Sequence, residues 1–300
     1  MELFRALAVI VEPPGEGSAR VAGALELGPV PDPDEYTELF VFQLYPYASV
    51  YTGAEGMMGG EARDRITGFW RALAIEAMPP VEADHLALML ALYARLCELA
   101  SEDVEGARRE GWERARKAFL WEHLLSWLPV YLRKLDELAT PFYRRWGEVL
   151  MEALLAEART LGQPATLPLH LRESTGVIDP RQGGEVAEFL QTLLAPVRSG
   201  MILTRADMSR AARHLGLGTR IGERAFILRS LFSQSACGVL EWLEQEANRW
   251  QQHHQAYVDS LGPVARVWEK KSAATASLLR ELKREAEDAL SNAGHAPGSN

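Results

Sequence analysis

Three hundred residues suffice for one large domain or two ordinary ones; 47% hydrophobic side chains supply a core, and 24% charged residues are normal for a soluble globular protein. The formal net charge of −9 is unevenly divided: residues 1–160 hold 26 Asp/Glu against 16 Lys/Arg, and residues 161–300 hold 15 against 16. That acidity argues against a nucleic-acid surface in the first half; it either favours a cationic partner there or serves solubility alone.

Cys97 and Cys237 match no metal, redox or disulfide spacing, which points to a reducing, cytoplasmic setting. The opening MELFRALAVIVEPPGEG lacks a small-residue cleavage site and is not read as a secretory signal. No apolar run has the length of a membrane span.

In chain order, residues 2–12 and 17–27 are short, Ala/Leu-rich and read as helices flanking Pro13-Pro14-Gly15. After the prolines at 29, 31 and 33, Asp34 is the expected cap of a helix through Leu44. Residues 45–62, YPYASVYTGAEGMMGGEA, suit an irregular, aromatic, glycine-containing loop. A helix follows over 61–76 with Ile66, Phe69, Trp70 and Leu73 on one face. Pro79-Pro80 stops it, and PPVEADHLALMLALYARLCEL opens the helix around which the chain is organised. That helix is apolar nearly all round and so belongs at the centre of a bundle, with Asp84 its expected N-cap. Beyond Ser101-Glu102-Asp103, Trp112, Ala115, Phe119, His123 and Trp127 make one stripe of a helix over 104–127. Leu128-Pro129 ends or kinks it, 130–138 is a link, and Thr140-Pro141 starts a helix to about Arg159. No strand alternation occurs, so the expected fold class is all-α.

Leu161-Gly162-Gln163-Pro164 is the expected boundary: a helical bundle over 1–160, a helical C-terminal extension over 161–294, and a disordered tail at 295–300. Residues 164–184 are loop-like and 185–197 helical. Thr204-Arg205-Ala206-Asp207 is a capping-box signature before a helix to Leu215, with further helices over 221–233, 236–260 and 263–291.

Three constellations carry chemistry. Glu82, Asp84 and His85 set carboxylates beside an imidazole, for acid/base work, as ligands, or simply as a cap. With His123 they would make a three-ligand metal site, though without H-E-x-x-H spacing. Tyr47, Ser49 and Tyr51 sit in the glycine-containing loop, as a peptide groove or as core packing. Arg205, Arg210, Arg213, Arg220, Arg224 and Arg229 invite a helix-turn-helix reading, against that of an ordinary helical hairpin. No phosphate loop, nucleophile elbow or partnered cysteine nucleophile occurs.

Taken in order, PYASVY at 46–51, EADH at 82–85 opening an apolar helix, and Phe119, His123 and Trp127 resemble the TorD/DmsD/NarJ family of redox-enzyme maturation chaperones over residues 34–160. The resemblance implies a TorD-like helical bundle, no catalysis and no resident cofactor. It also implies a cytoplasmic partner: the twin-arginine signal peptide or precursor of a molybdopterin-containing oxidoreductase, held until cofactor insertion. Glu82, Asp84, His85, Tyr47, Ser49, Tyr51, Phe119, His123 and Trp127 are the implied peptide-binding residues. The chain departs from the family at Ala83, where proline is common, and at Met89, where an acidic residue is common. Residues 165–300 have no counterpart in compact family members; contact with the mature enzyme, formation of a homodimer and shielding of the groove stay open. The alternatives are a small-ligand protein or enzyme using Asp84, His85 and His123, or a helix-turn-helix regulator.

Overall fold

The computed structural model describes residues 2–73, 82–102 and 106–294. The prolines at 79–80, the end of the helix expected over 61–76, and the tail at 295–300 lie outside the described residues. Among these the fold is all-α, with no strand and one isolated antiparallel bridge between Tyr47 and His85. The chain divides into two compact units, one of Met1–Ser174 with Tyr257–Val264, the other of Thr175–Ala256 with Ala265–Asn300.

The first unit opens with α1 (Glu2–Ile10) and α2 (Glu16–Ala24), helical as their Ala/Leu content favours. The next helix begins two residues earlier than expected: Asp32 occupies the cap position of α3 (Pro33–Tyr36), and Pro33 supplies the preset φ of the first turn. The backbone then widens into a π-helical segment over Thr37–Gln43, closed by Leu44 N–H donating to the Leu39 carbonyl at 2.7 Å. The stretch 45–62 is less irregular than expected, because α4 (Ala48–Thr52) turns inside it with all five residues buried. Then come α5 (Gly60–Ala72) and the central helix α6 (Leu86–Glu102). Leu86, Met89, Leu90, Tyr93, Ala94 and Leu96 of α6 are each wholly excluded from solvent, as an all-round apolar sequence requires. It packs against α1 and α7 (Gly106–Phe119); Phe4 meets Tyr93 edge-on at 4.8 Å.

The helix expected to run unbroken to Trp127 instead passes at Leu120 into a second π-helical segment, Leu120–Leu124. The expected link at 130–138 is α8 (Leu128–Leu138), with Pro129 in its first turn and Leu128, Val130, Tyr131, Leu132 and Leu135 buried. Proline there marks a helix start, since its missing N–H falls among groups that have no helical partner anyway. α9 (Pro141–Leu161) begins and ends as Thr140-Pro141 and Gly162 dictate, Gly162 having φ 68°. Its Trp146 Nε1 donates to the Leu7 carbonyl at 3.0 Å. α10 (Leu169–Glu173) and α16 (Val258–Leu261) complete the unit.

The second unit comprises α11 (Val186–Leu194), α12 (Pro196–Ser199), α13 (Arg205–Leu215), α14 (Arg224–Gln234), α15 (Ala236–Gln255) and the greater part of α17 (Pro263–Gly294). The capping box is present: Thr204 Oγ1 accepts from Asp207 N–H, and Asp207 Oδ2 accepts from Thr204 N–H at 2.8 Å. Gly216–Glu223 separates α13 from α14. That loop is longer than the turn of roughly three or four residues in a DNA-reading helix pair, which weakens the helix-turn-helix alternative.

The α12 end closes on α17. Gly200, at φ 76°, lies so near the α17 backbone that a Cβ would stand 2.3 Å from Ser272 N. Thr275 Oγ1 donates to the Ser199 carbonyl at 2.9 Å. His254 Nε2 lies 2.7 Å from the Gly200 carbonyl, and since a carbonyl only accepts, that nitrogen carries the proton. The His254 ring sits between Trp250 and Trp268.

Candidate functional site

Tyr47 is extended (φ −122°, ψ 122°), so residues 46–48 pair with 84–86. Leu86 N–H donates to the Pro46 carbonyl at 2.8 Å and Ala48 N–H to the Asp84 carbonyl at 2.9 Å. This short bridge brings the aromatic segment and the EADH step together although they lie far apart in sequence.

The roles within the step differ from expectation. Asp84, 2% exposed, does not cap α6. Its Oδ2 accepts from the Ser49 N–H at 3.2 Å and from the Ser49 hydroxyl, so it supplies the first turn of α4 with the acceptor that helix otherwise lacks. Ser49 Oγ in turn accepts from Gly59 N–H at 2.9 Å, which fixes the glycine-rich loop. The α6 cap is His85: its Nδ1 accepts from Ala87 N–H at 3.3 Å, leaving the proton on Nε2. A histidine in that role must be neutral, and burial lowers its pKa against the raising influence of Glu12, Glu82 and Asp84.

Tyr47 meets the His85 ring edge-on at 4.9 Å. Burial first, then Glu82 and Asp84, raises the Tyr47 pKa. Tyr36 is pushed up to about 12 by burial and by Glu12, Tyr47 and Glu82. The Tyr36 hydroxyl donates to the carbonyl of Val11, next to Glu12, at 3.3 Å, and His85 N–H donates to the Glu82 carbonyl at 2.9 Å, so exposed Glu12 and Glu82, half-exposed Tyr36 and Tyr47, and buried His85 make one patch. Glu12 and Tyr36 were missed in the sequence, because neither stands in a motif or on a helical stripe with the others.

The other expected site residues are interior. Ser49 and Trp127 have no exposed surface, Tyr51 is 2% exposed and Phe119 is wholly buried. Tyr51 stacks on Trp127 with centroids 5.1 Å apart and planes 7° apart, and Tyr131 meets both edge-on. Tyr51 Oη donates to the Tyr45 carbonyl at 2.8 Å and Trp127 Nε1 to the His123 carbonyl at 2.7 Å. His123 is wedged against Phe69 and Phe119, with centroids at 5.2 and 5.1 Å. These five hold the framework on which Tyr47, Glu82 and His85 are presented. Among the described residues no three His, Cys, Asp or Glu side chains converge as a metal group, so the structure does not bring Asp84, His85 and His123 together.

Burial, with a contribution from Arg65, holds the His123 pKa down to about 3. An unfolded histidine titrates near 6.5, so the unfolded chain takes up a proton here that the folded one refuses. Stability from this group is complete above about pH 6.5 and is lost as the pH falls towards 3. Between pH 7 and 4.5 the first unit should lose about 3 kcal/mol through His123. Urea unfolding at the two pH values, compared with His123→Phe, checks it: the variant should lack most of the loss.

On the same unit a cleft of about 360 Å³ is lined by Met57, Met58, Gly53, Glu61, Arg65 and Glu173 among others. Met57 and Met58 are 60% and 58% exposed. No helix among the described residues is long and apolar enough to cross a membrane.

The match to a family model falls in the first half of the chain. Residues 33–133 match the family described as nitrate reductase delta subunit. Two proteins named Chaperone protein TorD are among the relatives. That of Vibrio vulnificus strain CMCP6 is 30% identical over 94 residues, covering 31% of this chain and 44% of the relative. That of Shewanella amazonensis is 27% identical over 141 residues, covering 39% and 55%. The chain thus spans about half the length of the curated relatives it matches. No solved structure matches. The region matched by the family model contains α4, the Tyr47–His85 bridge, the buried Asp84–Ser49 pair and both π-helical segments, and over it the chain is similar to the family described as nitrate reductase delta subunit.

Proposed function

We propose that the protein is a non-catalytic, cytoplasmic maturation chaperone. It receives the twin-arginine signal peptide or precursor of a molybdopterin-containing oxidoreductase and holds it through cofactor insertion. The observation that carries this reading is the patch of Glu12 and Glu82 around Tyr36, Tyr47 and His85, set on a buried aromatic frame. Exposed carboxylates beside half-buried rings accept paired guanidinium forks through charge-assisted hydrogen bonds. Aromatic faces beside them add cation–π attraction. The names of the relatives and the acidity of the first half support the same reading. Met57 and Met58 offer the adaptable apolar contact that the hydrophobic part of such a peptide would need.

Calorimetric titration with a twin-arginine signal peptide tests the proposal. Micromolar or tighter binding is expected, weakening on replacement of the arginine pair by lysines and at high salt. Glu12→Gln with Glu82→Gln should weaken it by about tenfold, roughly what losing charged acceptors for two guanidinium groups implies. These exposed side chains leave the fold intact, which separates recognition from folding. An unchanged affinity in the double variant would remove the peptide from this patch; no binding of any such peptide would end the proposal.

A further inference from the structure

The second unit carries an exposed feature that the reading of the first unit does not use. The loop between α13 and α14 is held in place: Gly218 N–H donates to Gln234 Oε1 at 2.8 Å, and Gln234 Nε2 donates back to the Gly218 carbonyl at 2.9 Å. Arg224 Nη1 ties the start of α14 to the Leu203 carbonyl at 3.0 Å. Upon this clamped loop Ile221 stands wholly in solvent, at 102% of its reference exposure, and Phe226 is 48% exposed. The two belong to one feature, because the Phe226 ring lies across the loop so closely that a Cβ on Gly222 would meet it at 2.8 Å. A braced loop that holds Ile221 and Phe226 together in solvent makes one contiguous apolar feature, the kind of surface that marks an interaction site.

The charges nearby say what kind. Arg220 precedes Ile221, and Arg229 follows Phe226 by three residues on the same helix face. Arg213 is exposed at the end of α13. Among the described residues none of the three meets a carboxylate within salt-bridge distance, in contrast to Arg210, which lies 2.9 Å from Asp207 and 3.1 Å from Glu246. Over residues 204–233 six arginines stand against Asp207 and Glu223. A protruding apolar tip flanked by Arg220 and Arg229, cations that outnumber the exposed Glu223 between them, matches a soft apolar phase beneath an anionic face. That is the make-up of a lipid bilayer with acidic headgroups. A fully projecting side chain would need a matching pocket in a protein partner, but only displaceable acyl chains in a membrane.

We propose that Arg220, Ile221, Phe226 and Arg229 form a tip that docks the protein reversibly on an anionic lipid surface, with the two apolar side chains entering the headgroup region and the arginines engaging lipid phosphates. The attachment is peripheral and salt-sensitive, and it does not depend on the peptide-binding reading of the first unit.

Flotation of the full chain with phosphatidylcholine vesicles, with and without about one-third phosphatidylglycerol, is the test. The chain should float with the anionic vesicles at low salt, not with the neutral ones, and be released as ionic strength rises. Ile221→Ser with Phe226→Ser, and separately Arg220→Gln with Arg229→Gln, should each lower the bound fraction by about tenfold. Circular dichroism should stay unchanged, because these side chains are exposed. Flotation that survives both double variants overturns the proposal, as does absence from anionic vesicles at low salt. A dimer in sedimentation that Ile221→Ser dissociates, without vesicle binding, would assign the tip to a second copy instead.

Discussion

Asp84→Ala is expected to destabilise the first unit by about 3 kcal/mol or more, because it strips the acceptor from two buried donors at once. Ser49 N–H and the Ser49 hydroxyl both end on Asp84 Oδ2, at positions closed to water. With the carboxylate gone, α4 loses its first-turn acceptor, and the hold of Ser49 on Gly59 N–H loosens with it. The effect should spread to the stack of Tyr51 on Trp127, since Tyr51 is carried by α4. Near-ultraviolet circular dichroism in urea reports both the midpoint and the aromatic packing. Asp84→Asn supplies the internal control. Its amide oxygen can occupy the position of Oδ2 and accept the same bonds, so a loss of about 1 kcal/mol is expected, the difference between a charged and a neutral acceptor. If alanine and asparagine prove equally mild, Asp84 does not brace α4. Loss of peptide binding on replacing Asp84 would therefore speak of architecture first, whereas Glu12 and Glu82 report on contact.

Gly200→Ala should be the most damaging single methyl group in the second unit, at about 4 kcal/mol or more. A left-handed backbone costs an alanine roughly 1–2 kcal/mol, and the new Cβ would collide with backbone that has no rotamer to yield. At φ 76° that Cβ falls 2.3 Å from Ser272 N and 2.9 Å from Ser272 Cα. The melting transition of the second unit should drop by on the order of 10 °C or more, followed by calorimetry. Gly216→Ala isolates the conformational part, since φ is 65° there but nothing lies within 4 Å of the added Cβ; a shift of only a few degrees is expected. Equal shifts in the two variants would show that the approach to α17 is looser than 2.3 Å implies. The same junction is acid-sensitive: burial holds His254 near pKa 4. Its stabilising contribution is present above about pH 6.5 and lost as the pH falls towards 4.

Helix starts were legible wherever the signal is local. Thr140-Pro141, Thr204 with Asp207, and the all-round apolar run of α6 each announce themselves within a few residues. The errors cluster where a side chain answers to a distant segment. Asp84 stands where a cap should stand, but its acceptor is drawn thirty-five residues back to Ser49, and His85 takes the vacancy. Likewise α4 is too short to show a period, and it persists because Asp84 and the core beneath Tyr51 hold it. The two π-helical segments interrupt periodic stripes that looked continuous, because one extra residue per turn leaves no mark in composition. Of the expected site residues, Tyr47, Glu82 and His85 reach or border the surface. Ser49, Tyr51, Phe119, His123 and Trp127 were detectable as a group because a buried frame is as patterned in sequence as a binding surface.

The first unit is discontinuous in the chain, since residues 257–264 return to it after the 175–256 excursion. There Gln163 Nε2 donates to the Ser260 carbonyl at 3.3 Å, and Gly262 lies where a Cβ would come 3.1 Å from the Gln163 side chain. On the ribosome this means that the first unit cannot close when residue 174 emerges. Its final segment is still unsynthesised until residue 264 has been translated, an interval of several seconds at roughly 5–20 residues per second. During that interval residues 1–174 are held without their last piece while 175–256 emerge. A gene cut at residue 174 would make that waiting state permanent. Division of the protein for expression should therefore follow the spatial units rather than the linear order of the sequence.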